Sequence, residues 1–166
     1  IHVAATRAES IRTLNAQLDG LNERLGIRCT ASGYPTAEER DPQAYLAALE
    51  HLPRPACAIV VVPDHLHAAI AADVIRAGLH LLVVKPLTPT LAEGRELVEL
   101  AERHQVFGAV EFHKRYDEAN LLLRQNIQDR KLGDLCYVTV EYSQRRSVPA
   151  QAFREWAGRT HIFQYL

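Results

Sequence analysis

The chain is predicted to be α/β, a doubly wound parallel sheet followed by the start of an α+β region. Three observations predict this. Short apolar runs alternate with segments whose apolar residues recur at three- and four-residue spacing. The apolar runs are nearly unbroken, as in strands buried on both faces. After Gly133 the pattern changes to a longer run, Leu135 to Tyr142, that mixes apolar with polar positions as a half-exposed strand does.

In order along the chain, the first strand is expected over Ile1 to Thr6. A helix follows over about Ala8 to Arg24, where Ile11, Leu14, Leu18, Leu21 and Leu25 make one apolar stripe. Ile27 to Thr30 is the next strand candidate. Asp41-Pro42 then opens a helix to about Leu52, with aspartate as N-cap and proline at the first helical position. Cys57 to Val62 is a strand, and Leu66 to Ala77 a helix closed by Gly78 in a left-handed C-cap. His80 to Lys85 is a strand. Thr90 and Glu93 stand at capping-box spacing and open a helix to about His104. Val106 to Phe112 is a further strand, and Asp117 to Arg130 a further helix with Gly133 beyond it. The polar segment Gln144 to Ala150, which contains Pro149, reads as a loop or edge.

With 166 residues, 48% of them hydrophobic and 23% charged, the chain has the size of one domain plus part of another and enough apolar content for a core. A net charge of −1 without a block of like charges argues against nucleic acid or an anionic membrane as partner. No stretch approaches a membrane span and no signal peptide is visible, which makes the cytoplasm the default location. Cys29, Cys57 and Cys136 lack zinc-site spacing, and their apolar surroundings predict buried, reduced thiols. The chain begins at Ile1 inside a strand-like run and ends in the apolar run Ile162 to Leu166, so it is expected to be a piece of a longer protein.

In a doubly wound sheet, ligands bind outside the carboxyl ends of the strands. That rule selects Thr6-Arg7, Pro63-Asp64, Lys85-Pro86 and the segment Glu111 to Tyr116. Lys85 ends an apolar run directly before a proline. It is either a strand surfacing into water or an amine presented to a ligand. At a strand end near an adenosine ribose, an arginine accommodates the 2′-phosphate of NADP, whereas a carboxylate favours NAD. Thr6 and Arg7 therefore lean towards NADP, the alternative being an exposed arginine at a helix start. Asp64 can cap the helix that follows it. His65 and His67 are spaced so that they do not share a helix face, which argues against a metal pair.

Pro63-Asp64, His67, Ala77-Gly78-Leu79-His80 and Val84-Lys85-Pro86 resemble the signature of the Gfo/Idh/MocA (glucose–fructose oxidoreductase / inositol dehydrogenase) family. Its members carry a proline-asparagine or proline-aspartate turn, a histidine three residues later, an Ala-Gly-x-His and a Glu-Lys-Pro. The segment around Lys114, Arg115 and Tyr116 is similar to the family's basic and aromatic stretch after the next strand. The resemblance implies an NAD(P)-binding Rossmann-like domain over 1–115, lacking its first strand and Gly-rich turn. It also implies the start of a C-terminal α/β substrate and oligomerisation domain, with an open antiparallel sheet, over 116–166.

The implied activity is hydride transfer between NADP or NAD and a hydroxyl-bearing carbon of a sugar, polyol or related small molecule. A homo-oligomer is the implied state of the full-length protein. Pro63, Asp64, His67, Lys85 and Pro86 would join Thr6 and Arg7 at the cofactor. Lys85, His113 and Arg115 would hold substrate, and Lys85 and Tyr165 would manage the proton. Two departures stand out: Val84 replaces the glutamate, and Tyr165 occupies the position of an aspartate. They keep two alternatives open, a non-catalytic nucleotide- or sugar-binding sensor or subunit, and an NAD-dependent glycosidase of the same family.

Overall fold

The computed structural model describes residues 1–29, 31–35, 38, 40–143, 145–152, 154 and 158. The chain forms two compact units, Ile1–Ala56 and Cys57–Leu166.

In the first unit, β1 (His2–Ala4) and β2 (Ser32–Tyr34) pair in parallel, with Val3 opposite Gly33. Between them runs α1 (Ala8–Leu25), which ends at Gly26 with a φ of 64°. Ala8 and Ile11 are its buried residues. The helix approaches β2 so closely that a Cβ at Gly33 would collide with Cγ2 of Ile11. The second strand is not where the apolar run Ile27 to Thr30 suggested. The side-chain amide of Asn22 donates to the carbonyl of Cys29 at 2.8 Å and accepts its N–H at 2.9 Å. Both backbone groups of Cys29 are thereby tied to α1 and withheld from a ladder.

The helix α2 (Ala44–His51) also starts later than Asp41-Pro42. The Asp41 carboxylate accepts from the N–H of Gln43 at 2.8 Å. This side-chain turn places Pro42 before the helix instead of in its first turn.

In the second unit, β3 (Cys57–Val60), β4 (His80–Val84) and β5 (Gly108–Glu111) form a parallel sheet with β4 in the centre. The crossovers are α3 (His67–Arg76) and α4 (Leu91–His104). Leu81 and Val83 of β4 are buried, as are Ala71, Val74 and Ile75 of α3 and Leu97 of α4. The period of two in the strand meets the helical period at one shared core. Gly78 has the expected left-handed conformation, with a φ of 71°. Thr90 and Glu93 form the expected capping box, Oγ1 of Thr90 accepting from the Glu93 N–H at 3.3 Å. His80 adds a tie across the sheet, its Nδ1 accepting the N–H of Phe107 at 2.9 Å.

Beyond β5, a 3₁₀ turn (His113–Arg115) leads to α5 (Glu118–Gln128), capped by Asp117. Residues 135–142 are exposed and pair with no strand among the described residues, contrary to expectation. The cysteines are free, but only Cys29 is partly covered; Cys57 and Cys136 are exposed. Cys57 opens its strand and Cys136 lies in the exposed segment 135–142, so neither is inside the core.

Candidate active site

The parallel register brings three predicted places to one edge. Val60 pairs with Val83, and Val84 with Glu111, so β3, β4 and β5 end side by side. Beyond those ends lie Pro63-Asp64, Lys85-Pro86 and the turn His113–Arg115. Lys85 follows the central strand, half-buried and engaged in a polar contact. Its bond to Pro86 is cis. Val84, where the resemblance implies a glutamate, lies directly across from Glu111. The edge thus keeps a carboxylate, one strand over.

Two of the residues assigned to the cofactor lie behind this edge. Asp64 is only 3% exposed and begins a 3₁₀ turn (Asp64–Leu66) whose Asp64 carbonyl accepts the N–H of His67. Leu66, not Asp64, occupies the N-cap position of α3. His67 is 0% exposed. Its Nδ1 lies 2.6 Å from the carbonyl oxygen of Pro86 and its Nε2 lies 2.8 Å from that of Val62. A fully enclosed ring with both nitrogens engaged cannot touch a ligand in this arrangement, so its expected place at the cofactor is corrected to a supporting one. Nδ1 of His65 is also buried, and it has no hydrogen-bond partner among the described residues.

The loop after β5 is polar and exposed. Nδ1 of His113 is 3.2 Å from Oε2 of Glu111. The Arg115 guanidinium lies over the Phe112 ring at 4.5 Å from its centroid, a cation–π contact. Both residues face solvent at the same edge as Lys85. Asp117 accepts the N–H of Asn120 at 2.9 Å and the Nζ of Lys114 at 3.2 Å. The Asn120 N–H holds its carboxyl below the ordinary value of 3.8; slight burial opposes this, and Lys114 and His113 assist it.

Thr6 and Arg7 belong to the other unit, where they follow β1 and are exposed. The carbonyl of Thr6 accepts the N–H of Asp41 at 3.0 Å, and Arg7 is the N-cap residue of α1 without a side-chain capping bond. Arg12 and Glu38 form an ion pair at 2.6 Å in the same unit. Tyr165 lies outside the described residues. No group of three or more metal-ligating side chains occurs among the described residues. The bridging role of His67 was not readable from sequence, because its acceptors are carbonyls and carry no residue signal.

A family profile for Gfo/Idh/MocA proteins, described as an oxidoreductase family with an NAD-binding Rossmann fold, matches residues 3–112. The scyllo-inositol 2-dehydrogenase (NADP(+)) IolW of Bacillus subtilis is 31% identical over 100 residues, covering 60% of this chain and 28% of that protein. The D-glucoside 3-dehydrogenase of Escherichia coli is 28% identical over 109 residues, covering 66% and 30%. The matched stretch therefore spans less than a third of these relatives' own length. The crystal structure of myo-inositol 2-dehydrogenase from Lactobacillus plantarum superposes with a TM-score of 0.59 at 18% identity, over 82% of this chain and 35% of that one. At that identity the likeness is one of fold.

Proposed function

The chain belongs to the Gfo/Idh/MocA family of oxidoreductases with an NAD-binding Rossmann fold, and from that premise we propose that it serves hydride transfer between a nicotinamide cofactor and a hydroxyl-bearing carbon of a sugar or polyol. The observation that carries the proposal is the position of Lys85. It follows the central strand of a parallel sheet, flanked by the loops after both neighbouring strands. In this class of fold that edge is where ligands bind. Residues 1–115 are read as the cofactor domain and 116–166 as the start of the substrate domain.

The donor set suits the cofactor. Pro63 and the Lys85-Pro86 turn would face the nicotinamide side, with Asp64 and His67 supporting them. Thr6 and Arg7 would meet the adenosine ribose, where the guanidinium favours the 2′-phosphate of NADP. The NADP(+) in the name of the inositol relative supports the same preference. Taking up or giving up hydride is the chemistry a bound nicotinamide supplies.

The chain's own residues manage the rest. Oxidation takes hydride from the carbon and a proton from its hydroxyl, leaving a carbonyl. Lys85 would hydrogen-bond that oxygen through Nζ and guide the departing proton. His113 and Arg115 would orient the other hydroxyls, and Tyr165 is the second candidate for proton transfer. The substrate names of the two relatives, an inositol and a glucoside, support a polyhydroxylated substrate.

The test uses the intact protein with a panel of sugars and polyols, followed by nicotinamide absorbance. Turnover is expected, and Lys85→Ala should lower kcat by about 10²-fold or more, the scale of a lost acid–base group. Undiminished turnover in that variant would remove Lys85 from the chemistry. Cofactor binding without turnover on any substrate would favour a non-catalytic sensor, a reading that Val84 supports.

A further inference from the structure

Among the described residues His67 is the polar side chain with no exposure, and the proposed chemistry does not use it directly. Its surroundings are specific. Nδ1 and Nε2 stand 2.6 Å and 2.8 Å from the carbonyl oxygens of Pro86 and Val62, respectively. Carbonyl oxygens only accept hydrogen bonds. A neutral imidazole has one N–H and one lone pair, so it would aim a lone pair at one of these oxygens at close range. Only the ring protonated on both nitrogens donates to both. The contacts are as short as charge-assisted hydrogen bonds.

The two acceptors are not arbitrary. Val62 lies in the loop after β3, and Pro86 directly follows Lys85 after β4. The ring therefore spans two adjacent strand ends and joins the loop after β3 to the Lys85-Pro86 turn. We propose that His67 is a positioning residue, a buried imidazolium that clips the carbonyls of Val62 and Pro86 together and so fixes where Lys85 presents its amine. Asp64, three residues earlier, is the buried carboxylate on the same turn, and its carbonyl anchors the His67 backbone. The spacing of the clip is set by the width of one ring, which no flexible side chain reproduces.

The kinetic part of this proposal rests on Lys85 acting as read above; the spectroscopic part does not. Ring nitrogens of His67, observed by ¹⁵N NMR in the unaltered protein at neutral pH, should both show the shifts and one-bond couplings of N–H groups. One protonated and one lone-pair nitrogen would overturn the clip as stated, whatever the enzyme does. His67→Gln offers an amide donor at one end and an acceptor at the other, so it can serve only one carbonyl well. This change should lower kcat by about 10- to 100-fold, as a misplacement of about an ångström does. Cofactor Kd should move less than about 3-fold, and the Lys85 Nζ resonance should shift. With kcat expressed per cofactor-binding site, counted by titration, such a split between kcat and binding is not produced by general loss of folded protein. An unchanged kcat with an unmoved Lys85 resonance would overturn the positioning role. Loss of activity in Lys85→Ala with an unaffected His67→Gln would sink this proposal and leave the proposed function standing. An active Lys85→Ala protein with a doubly protonated His67 would do the reverse to the function, leaving His67 as a structural clip.

Discussion

At the residue scale, charge and location divide the work. Arg7 follows β1 with its side chain in solvent, where a guanidinium can receive a phosphate without first breaking a buried contact. Arg7→Ala is therefore expected to weaken NADP by roughly 10- to 100-fold, the worth of one charge-assisted contact, and NAD much less. Titration of both cofactors against the intact protein checks this, and equal losses would remove Arg7 from the 2′-phosphate. The prominence of Lys85 was legible in sequence, because a charged residue and a proline ending an unbroken apolar run is visible locally. His67 was legible as a residue but not in its role. Its acceptors lie 5 and 19 residues away and are backbone groups. Only folding brings them to opposite sides of one ring.

At the element scale, close approach and capping decide the outcome. Because α1 lies against β2 with Ile11 filling the space beside Gly33, a methyl group there must displace packed atoms. Gly33→Ala should cost about 1–3 kcal/mol, the usual range for overpacking, as read by urea denaturation. A variant as stable as the parent would mean that the helix gives way freely. The cap of α5 makes a prediction about pH. The Asp117 carboxyl is held below its ordinary 3.8, chiefly by the Asn120 N–H. A depressed folded value means that the cap's contribution is present above the ordinary value and is lost as pH falls through the folded one. Amide signals of α5 should fray as pH falls below the ordinary 3.8, and Asp117→Asn should flatten that dependence. Persistence of the pH-dependent fraying in Asp117→Asn would assign it to another group. The capping box at Thr90 and Glu93 was readable because its three-residue spacing is local. The strand Ser32–Tyr34 was not, since Ser-Gly-Tyr reads as a turn until a helix and a partner strand demand it.

At the scale of the whole molecule, the second unit depends on one apolar seam between β4 and the helices on its flank. Leu79 enters that seam just after the left-handed turn at Gly78 and is 0% exposed. Leu79→Ala should cost about 2–5 kcal/mol, and denaturation followed by a probe within residues 57–133 would measure it. A loss well below about 1 kcal/mol would show that the seam can close over the gap. The sequence by itself determined the alternation of strands and helices, the parallel character of the sheet, most helix ends and the strand-end address of Lys85. Each of these follows from periodicity, caps and turn residues, which act over a few positions. Tertiary structure alone decided where the second strand forms and that residues 135–142 join no strand among the described residues. It also decided that Cys57 and Cys136 are exposed and that His67 stands behind the site rather than in it. These depend on which groups meet across long stretches of chain, where a backbone carbonyl counts as much as any side chain and leaves no mark in the sequence.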